Sequence, residues 1–264
     1  MQNLKVTLVQ ADPFWEDSDA NLELFDRTLD RLGEPTHLVV LPEMFTSGFT
    51  MNAGAVAQSM DGPAIAWMKK KSHAMNADIT GSLVIGESGR YHNRLVWVKP
   101  TGELFAYDKK HLFRYAGEEK IFTPGEKPIT VELHGWRIRP FICYDLRFPI
   151  WTRNVNLTYH VALFTANWPA RRATHWKALL AARAIENQAY VIGVNRVGID
   201  GNGLHYTGDS RIIDPLGTVV FQHSESPVTY TAELSIQELE SYWASFPAWM
   251  DADSDQLNGA SPIA

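Results

Sequence analysis

Three residues at the ends of apolar runs carry side chains suited to acyl-transfer chemistry: Glu43 in LPEMF, Lys109 in YDKKHLF and Cys143 in FICYDLRFP. A free thiol is only a few per cent thiolate near pH 7, so a nucleophilic cysteine needs a neighbouring base or cation. Cys143 follows the run RIRPFI and precedes Pro149, a residue favoured in the first turn of a helix. A strand turning into a helix there offers free N–H groups and a positive dipole end. Both favour a thiolate and an oxyanion. Glu43 closes an apolar run, where α/β proteins place ligands, and a carboxylate buried beside Met44 and Phe45 is a usable base. The adjacent Lys109 and Lys110 point to opposite faces of a strand, so at most one can face the cysteine. Each residue taken alone has a plainer reading. Cys143 is then a small buried hydrophobe, Glu43 a cap or surface turn, the two lysines a solvated pair, and Glu118 and Glu119 surface charges before Pro124-Gly125.

The elements that must position these residues follow from periodicity. Strands are expected over residues 4–10, 36–43, 79–86, 93–99, 103–109, 129–133, 136–142, 160–167, 189–195, 209–214, 217–223 and 229–234. Helices are expected over 17–32, capped by Asp17 or Ser18 and ended by Gly33, over 63–76, over 173–187, and after Ser235. Strands mixed with helices throughout indicate an α/β class. Apolar strands indicate sheets covered on both faces; the pattern leaves open one doubly wound sheet or two stacked sheets. There is no internal repeat or linker, so residues 1–264 read as one domain, with 251–264 as a polar tail. Tyr242, Trp243, Phe246 and Trp249 are expected to pack on the core, with a partner's surface as the alternative.

Composition narrows the classes of function. The 264 residues carry a net charge of −6 and a pI near 5.8. The one basic triplet, Lys69 to Lys71, reads as a solvated helix face, so nucleic acid is not an expected partner. No run reaches the 18 or so apolar residues of a membrane span. The run at residues 6–9 is too short for the apolar centre of a secretion signal. The single cysteine excludes an internal disulfide and suits a reducing, cytoplasmic setting. No His-Glu-x-x-His motif is present, and no metal or other cofactor is expected. The glycines between Gly198 and Gly203 depart from a dinucleotide fingerprint and read as a turn. Two other readings stay open at this point: a Cys-His hydrolase using His111 or His175, and a binding protein without catalysis.

The order glutamate, lysine, cysteine, each in its motif, resembles the nitrilase superfamily of carbon–nitrogen hydrolases. Similarity continues through TANWP (165–169), HWKALLAARAIENQAYVIGVNRVG (175–198) and GDSRIIDPLG (208–217), and so covers nearly the whole chain. It is nearest to the bacterial omega-amidase branch, which acts on 2-oxoglutaramate. The resemblance implies a four-layer α-β-β-α sandwich and, through Tyr-x-Lys-x-His-Leu-Phe, gives the lysine role to Lys109. A second glutamate seven residues before a Pro-Gly glycine falls on Glu118, with Glu119 adjacent. The implied chemistry is amide hydrolysis through a thioester on Cys143, with Glu43 as base and Lys109 and the Tyr144 N–H on the oxyanion. Arg171 or Arg172 is a candidate for a substrate carboxylate, and Trp168 for a pocket wall. Another amidase or a nitrilase of the superfamily is the alternative. The resemblance also implies a homodimer or higher homo-oligomer.

Overall fold

In a computed structural model, which describes residues 1–252, strand alternation sorts the apolar side chains into layers. In β1 (Leu4–Gln10), Leu4, Val6 and Leu8 face one way, while Val9 faces the other. The same split runs through β2 (Leu38–Val40), β4 (Arg90–Val98) and β5 (Leu104–Asp108), while β3 (Asp78–Glu87), between β2 and β4, puts Ile79, Leu83 and Ile85 on the Val9 side. The other half of the chain supplies β6 (Val131–Leu133), β7 (Trp136–Ile142), β8 (Val161–Ala166), β9 (Tyr190–Asn195), β10 (Val197–Ile199), β11 (His205–Ile213) and β12 (Val219–Ser224). The last strand, β13 (Val228–Leu234), returns to pair with β1.

Two sheets result, in the orders β13-β1-β2-β3-β4-β5 and β10-β11-β9-β8-β7-β6, with β12 beside β11. Leu4, Val40 and Trp97 of the first meet Ile138, Leu163 and Ile192 of the second in one buried cluster. The opposite face of the first sheet is covered by α1 (Ser18–Asp30) and α3 (Pro63–Met75) through Phe25, Leu29, Ile65 and Met68. The short α2 (Ala53–Val56) lies between them in sequence. On the second sheet, α4 (Pro149–Thr152) and α5 (Ala173–Asn187) form the outer layer, with Trp176, Leu180 and Ala184 on Phe164 and Val191. The fold is the four-layer α-β-β-α sandwich. The final helix, α6 (Ile236–Ser245), begins at Ser235, whose side chain caps Glu238.

Several expectations change. The strand expected over 36–43 is three residues long, because the chain turns at Met44, whose φ is 43°. Helix α1 stops at Asp30, capped by Arg31, before Gly33 is reached. The strand expected from Asp209 begins at His205, since the Gly201-Asn202 turn joins β10 and β11 as a hairpin. Lys71 is not on a solvated face: its buried ammonium reaches Asp26 at 2.8 Å and Asp30 at 2.6 Å on α1. Burial alone would lower its pKa, but these two hydrogen-bonded carboxylates raise it. Among the C-terminal aromatics, Trp243 packs on the core and stacks on His160, whereas Phe246 is exposed. Apart from its first two residues, the expected tail at 251–264 lies outside the described residues.

Candidate active site

Parallel strands β2, β7 and β8 all end on one side of the molecule, and the chemistry-bearing residues lie just beyond those ends. Glu43 follows β2 in the turn to Met44. Cys143 follows β7 directly and opens a 3-10 turn over Cys143–Arg147, with its own φ at 42°. That left-handed conformation is uncommon for a residue with a Cβ, and it is how the chain leaves the strand sharply. Asn167 follows β8, and Lys109 follows β5, its N–H bonded to Asn93 O. Glu118 arrives on a separate loop. That loop returns against β5 at Gly125, where an added Cβ would sit 2.1 Å from the Asp108 carbonyl oxygen. Only glycine permits this approach.

These side chains form one buried cluster. Lys109 Nζ donates to Glu43 Oε1 at 2.9 Å and to both oxygens of Glu118 at 3.0 Å. Asn93 Nδ2 donates to Glu43 Oε1 at 2.8 Å, and the Asn167 N–H donates to Glu43 Oε2 at 2.8 Å. Glu43, Lys109 and Glu118 are at most 1% exposed. Burial by itself would depress the lysine, but the charges of Glu118 and Glu43 outweigh it and raise its pKa above the ordinary lysine value. Burial pushes Glu118 up; the Lys109 ammonium opposes this and the Glu43 carboxylate adds to it. The Phe113 N–H also donates to Glu118, at 2.5 Å. Glu118 therefore takes the position next to the lysine, and Glu119 does not.

Cys143 Sγ lies 4.0 Å from the Asn167 carbonyl oxygen. Burial, then the Glu43 charge, push the thiol pKa well above its ordinary value, with Lys109 pulling the other way. The sulfur thus holds its proton at rest, and nucleophilic attack requires a proton acceptor. Tyr144 follows in the turn, where the first N–H groups have no partner within the turn itself. The thiol opens onto a cavity of about 580 Å³, a size typical of small-molecule sites.

One wall of this cavity is cationic and aromatic. Arg147, Arg171 and Arg172 line it together with Phe113, Tyr115, Tyr144 and Trp168. The Arg171 guanidinium lies over Tyr115 at 5.4 Å, Arg172 over Phe113 at 5.1 Å, and Arg147 over Trp168 at 4.8 Å. Among the described residues, no histidine lines the cavity. His111 is engaged with Asp145 at 2.8 Å and His175 with Arg147 at 2.9 Å. No group of described residues has the makings of a metal site.

The structure brings together all eight residues singled out from sequence: Glu43, Lys109, Glu118, Cys143, Tyr144, Trp168, Arg171 and Arg172. It adds Asn93, Asn167 and Arg147. Asn167 lies within TANWP and Arg147 within CYDLR, so both were inside motifs already marked. Asn93 had no such signal. It enters only because β3 and β4 pair in a register that sets it opposite Val84, with its carboxamide also accepting from Ser82.

Comparison with known proteins agrees with this geometry. Residues 5–243 match the carbon-nitrogen hydrolase family. The chain is 49% identical to "Omega-amidase YafV" of Escherichia coli K12 over 97% of its own length and all of the relative's. It is 30% identical to a 2-oxoglutaramate amidase of Bacillus subtilis, covering 95% of this chain and 98% of that one. It is similar in structure to XC1258 of Xanthomonas campestris, a CN-hydrolase superfamily protein with an arsenic adduct in its active site. The TM-score is 0.94, with 43% identity over 96% of this chain and 98% of the other. A buried glutamate–lysine–glutamate cluster beside a cavity thiol, a four-layer sandwich and this similarity along nearly the whole length have one explanation: the chain belongs to the carbon-nitrogen hydrolase family.

Proposed function

We propose that this hydrolase cleaves the side-chain amide of small omega-amido acids such as 2-oxoglutaramate, giving a carboxylate and ammonia. The observation that carries the reading is the Lys109 ammonium, held by Glu43 and Glu118 beside the protonated Cys143 thiol. Glu43 accepts the thiol proton as sulfur bonds to the amide carbon. Lys109 and the Tyr144 N–H balance the charge on the carbonyl oxygen. The carbon–nitrogen bond then breaks, Glu43 passes its proton to the departing ammonia, and a thioester remains on Cys143. Glu43 next takes a proton from the water that attacks the thioester, and passes it to the sulfur as the carbon–sulfur bond breaks, so that the thiol and the carboxylate base are both restored. Glu118 keeps Lys109 charged and oriented.

The three guanidinium groups on one wall favour a substrate with a carboxylate at the far end from its amide, because a guanidinium holds a carboxylate bidentately. The names of the relatives from Escherichia coli and Bacillus subtilis point the same way. The test is ammonia release by purified protein from 2-oxoglutaramate, other small amides and nitriles. The expected result is a preference for 2-oxoglutaramate that Cys143→Ala abolishes. Turnover of nitriles in preference to amides would replace this reading with a nitrilase.

The same reading takes the chain as one carbon-nitrogen hydrolase domain with a C-terminal tail from residue 251, working as a homo-oligomer in the cytoplasm. Among the described residues no helix is long and apolar enough to cross a membrane. Sedimentation of the purified protein and cell fractionation test the last two points.

A further inference from the structure

Lys109 and Cys143 come from different sheets, and their relative placement has to be held by something other than one strand ladder. One side chain spans the gap. Asp145, fully buried two residues after the thiol, accepts four hydrogen bonds. On one oxygen it receives the His111 N–H at 3.0 Å and His111 Nδ1 at 2.8 Å. On the other it receives the Tyr107 hydroxyl at 2.6 Å and the Ile142 N–H at 3.1 Å.

Tyr107 and His111 flank Lys109 by two residues on either side, while Ile142 immediately precedes Cys143. Each partner is itself fixed. Trp151 Nε1 donates to the Tyr107 oxygen at 2.9 Å, and the His111 ring stacks on Phe148 with centroids 3.8 Å apart. Burial, with Asp145 adding, raises the Tyr107 pKa well above its ordinary value, so the phenol remains a donor.

We propose that Asp145 is a positioning residue: its carboxylate clamps both flanks of Lys109 onto the Cys143 turn and so sets the cation at the oxyanion position. The proposal rests on the thiol–lysine chemistry proposed above. Asp145 touches no substrate; it acts through the two residues it aligns. An ionised carboxylate suits the place because it is acceptor-only and all four partners donate. An asparagine in its place aims an N–H₂ at two of those donors and forces the lysine arm and the thiol turn apart. A misplacement on the order of 1 Å costs about 10²-fold in rate.

The test is the kinetics of Asp145→Asn, Tyr107→Phe and the double variant with 2-oxoglutaramate, with thermal unfolding measured on each. The expected result for Asp145→Asn is a loss of about 10²-fold in kcat with KM changed little. Tyr107→Phe, which removes one donor of four, should lose several-fold, and the double variant should be no slower than Asp145→Asn, because residues in one network are not additive. Asp145→Asn with a lowered Tm but full kcat per folded molecule overturns the proposal, leaving the aspartate a scaffold only. Should Asp145→Asn not fold, an unchanged kcat in a folded Tyr107→Phe overturns it equally. Cys143→Ala, run alongside, separates the two readings. If it is inactive while Asp145→Asn is at full rate, only the clamp fails; if Cys143→Ala remains active, the thiol chemistry itself fails.

Discussion

At the amino ends of β2, β3 and β8 lie His37, Asp78 and His160; at the carboxyl ends of β2, β7 and β8 lie Glu43, Cys143 and Asn167. Both ends bury polar groups, with Asp78 and His160 at 2% exposure and Glu43 at 0%. The outcomes differ at one group. At the amino ends desolvation wins and each titratable group moves towards its neutral form. Burial lowers His37, raises Asp78, and pushes His160 down to about 4, with Arg137 adding to the last. Their partners are neutral donors: the Lys5 N–H for His37, Trp97 Nε1 for Asp78 and the Arg137 N–H for His160. At the carboxyl ends burial likewise moves Glu118 and the Cys143 thiol towards their neutral forms, but Lys109, an ammonium within 3.0 Å of two carboxylates, is driven further towards its charged form. Burial therefore does not by itself decide whether a group is charged. For Lys109 the two carboxylates buried with it decide the outcome, whereas Glu118 and Cys143, each also facing the Glu43 charge, still move towards neutral.

The largest effect should come from Cys143→Ala, which removes the bond-forming atom. Ammonia release should fall to background, and a wild-type rate would end the contrast drawn above. Next, Glu43→Gln and Lys109→Ala should each lose about 10²- to 10⁴-fold in kcat. Lys109→Ala should also unfold more readily in urea, by about 3–5 kcal/mol, because it leaves Glu43 and Glu118 buried without their cation. An unchanged unfolding midpoint would mean that the carboxylates do not depend on it.

Smaller shifts are expected from the cationic wall. Arg147→Ala, Arg171→Ala or Arg172→Ala should raise KM for 2-oxoglutaramate by about 10-fold or more for whichever guanidinium meets the carboxylate, the worth of one charged hydrogen bond. An uncharged amide should be unaffected, and equal effects on both substrates would remove the carboxylate from that wall.

A last effect, on stability rather than rate, tests the amino ends. Unfolded histidine titrates near 6.5, whereas folded His160 takes its proton only near 4. Between those values the unfolded chain binds more protons, so stability should drop as pH falls from about 6.5 to 4, by roughly 3 kcal/mol at most. His37 acts in the same direction. Urea unfolding of His160→Asn, which keeps an acceptor for the Arg137 N–H, should show a shallower acid slope. An unaltered slope would place the acid sensitivity elsewhere.

Much of this was legible beforehand. Strand β7 and helix α5 have the bounds that periodicity and the flanking turns indicate, because each buries one alternating or helical face against a layer. Where a turn residue overrides the pattern, as at Met44 after β2, the strand is shorter than its apolar run. Lys71 shows the same limit for charge. It looks solvated in sequence because Asp26 and Asp30, which neutralise it, lie more than forty residues earlier.

Sequence alone determined the identities that chemistry requires: one thiol, a glutamate and a lysine, each at a strand end in a motif of its own, while the family resemblance pointed to Glu118 with Glu119 beside it and the structure chose Glu118. Only the tertiary structure decided that Glu43 and Lys109 share a hydrogen bond, that Asn93 joins them, that Arg147 faces the same cavity, and that Asp145 links the lysine arm to the thiol turn. The physical reason is range. Periodicity and turn chemistry act over a few residues, whereas these contacts span 66 positions from Glu43 to Lys109 and 124 from Glu43 to Asn167. Sheet register and the stacking of the two sheets are what close those distances.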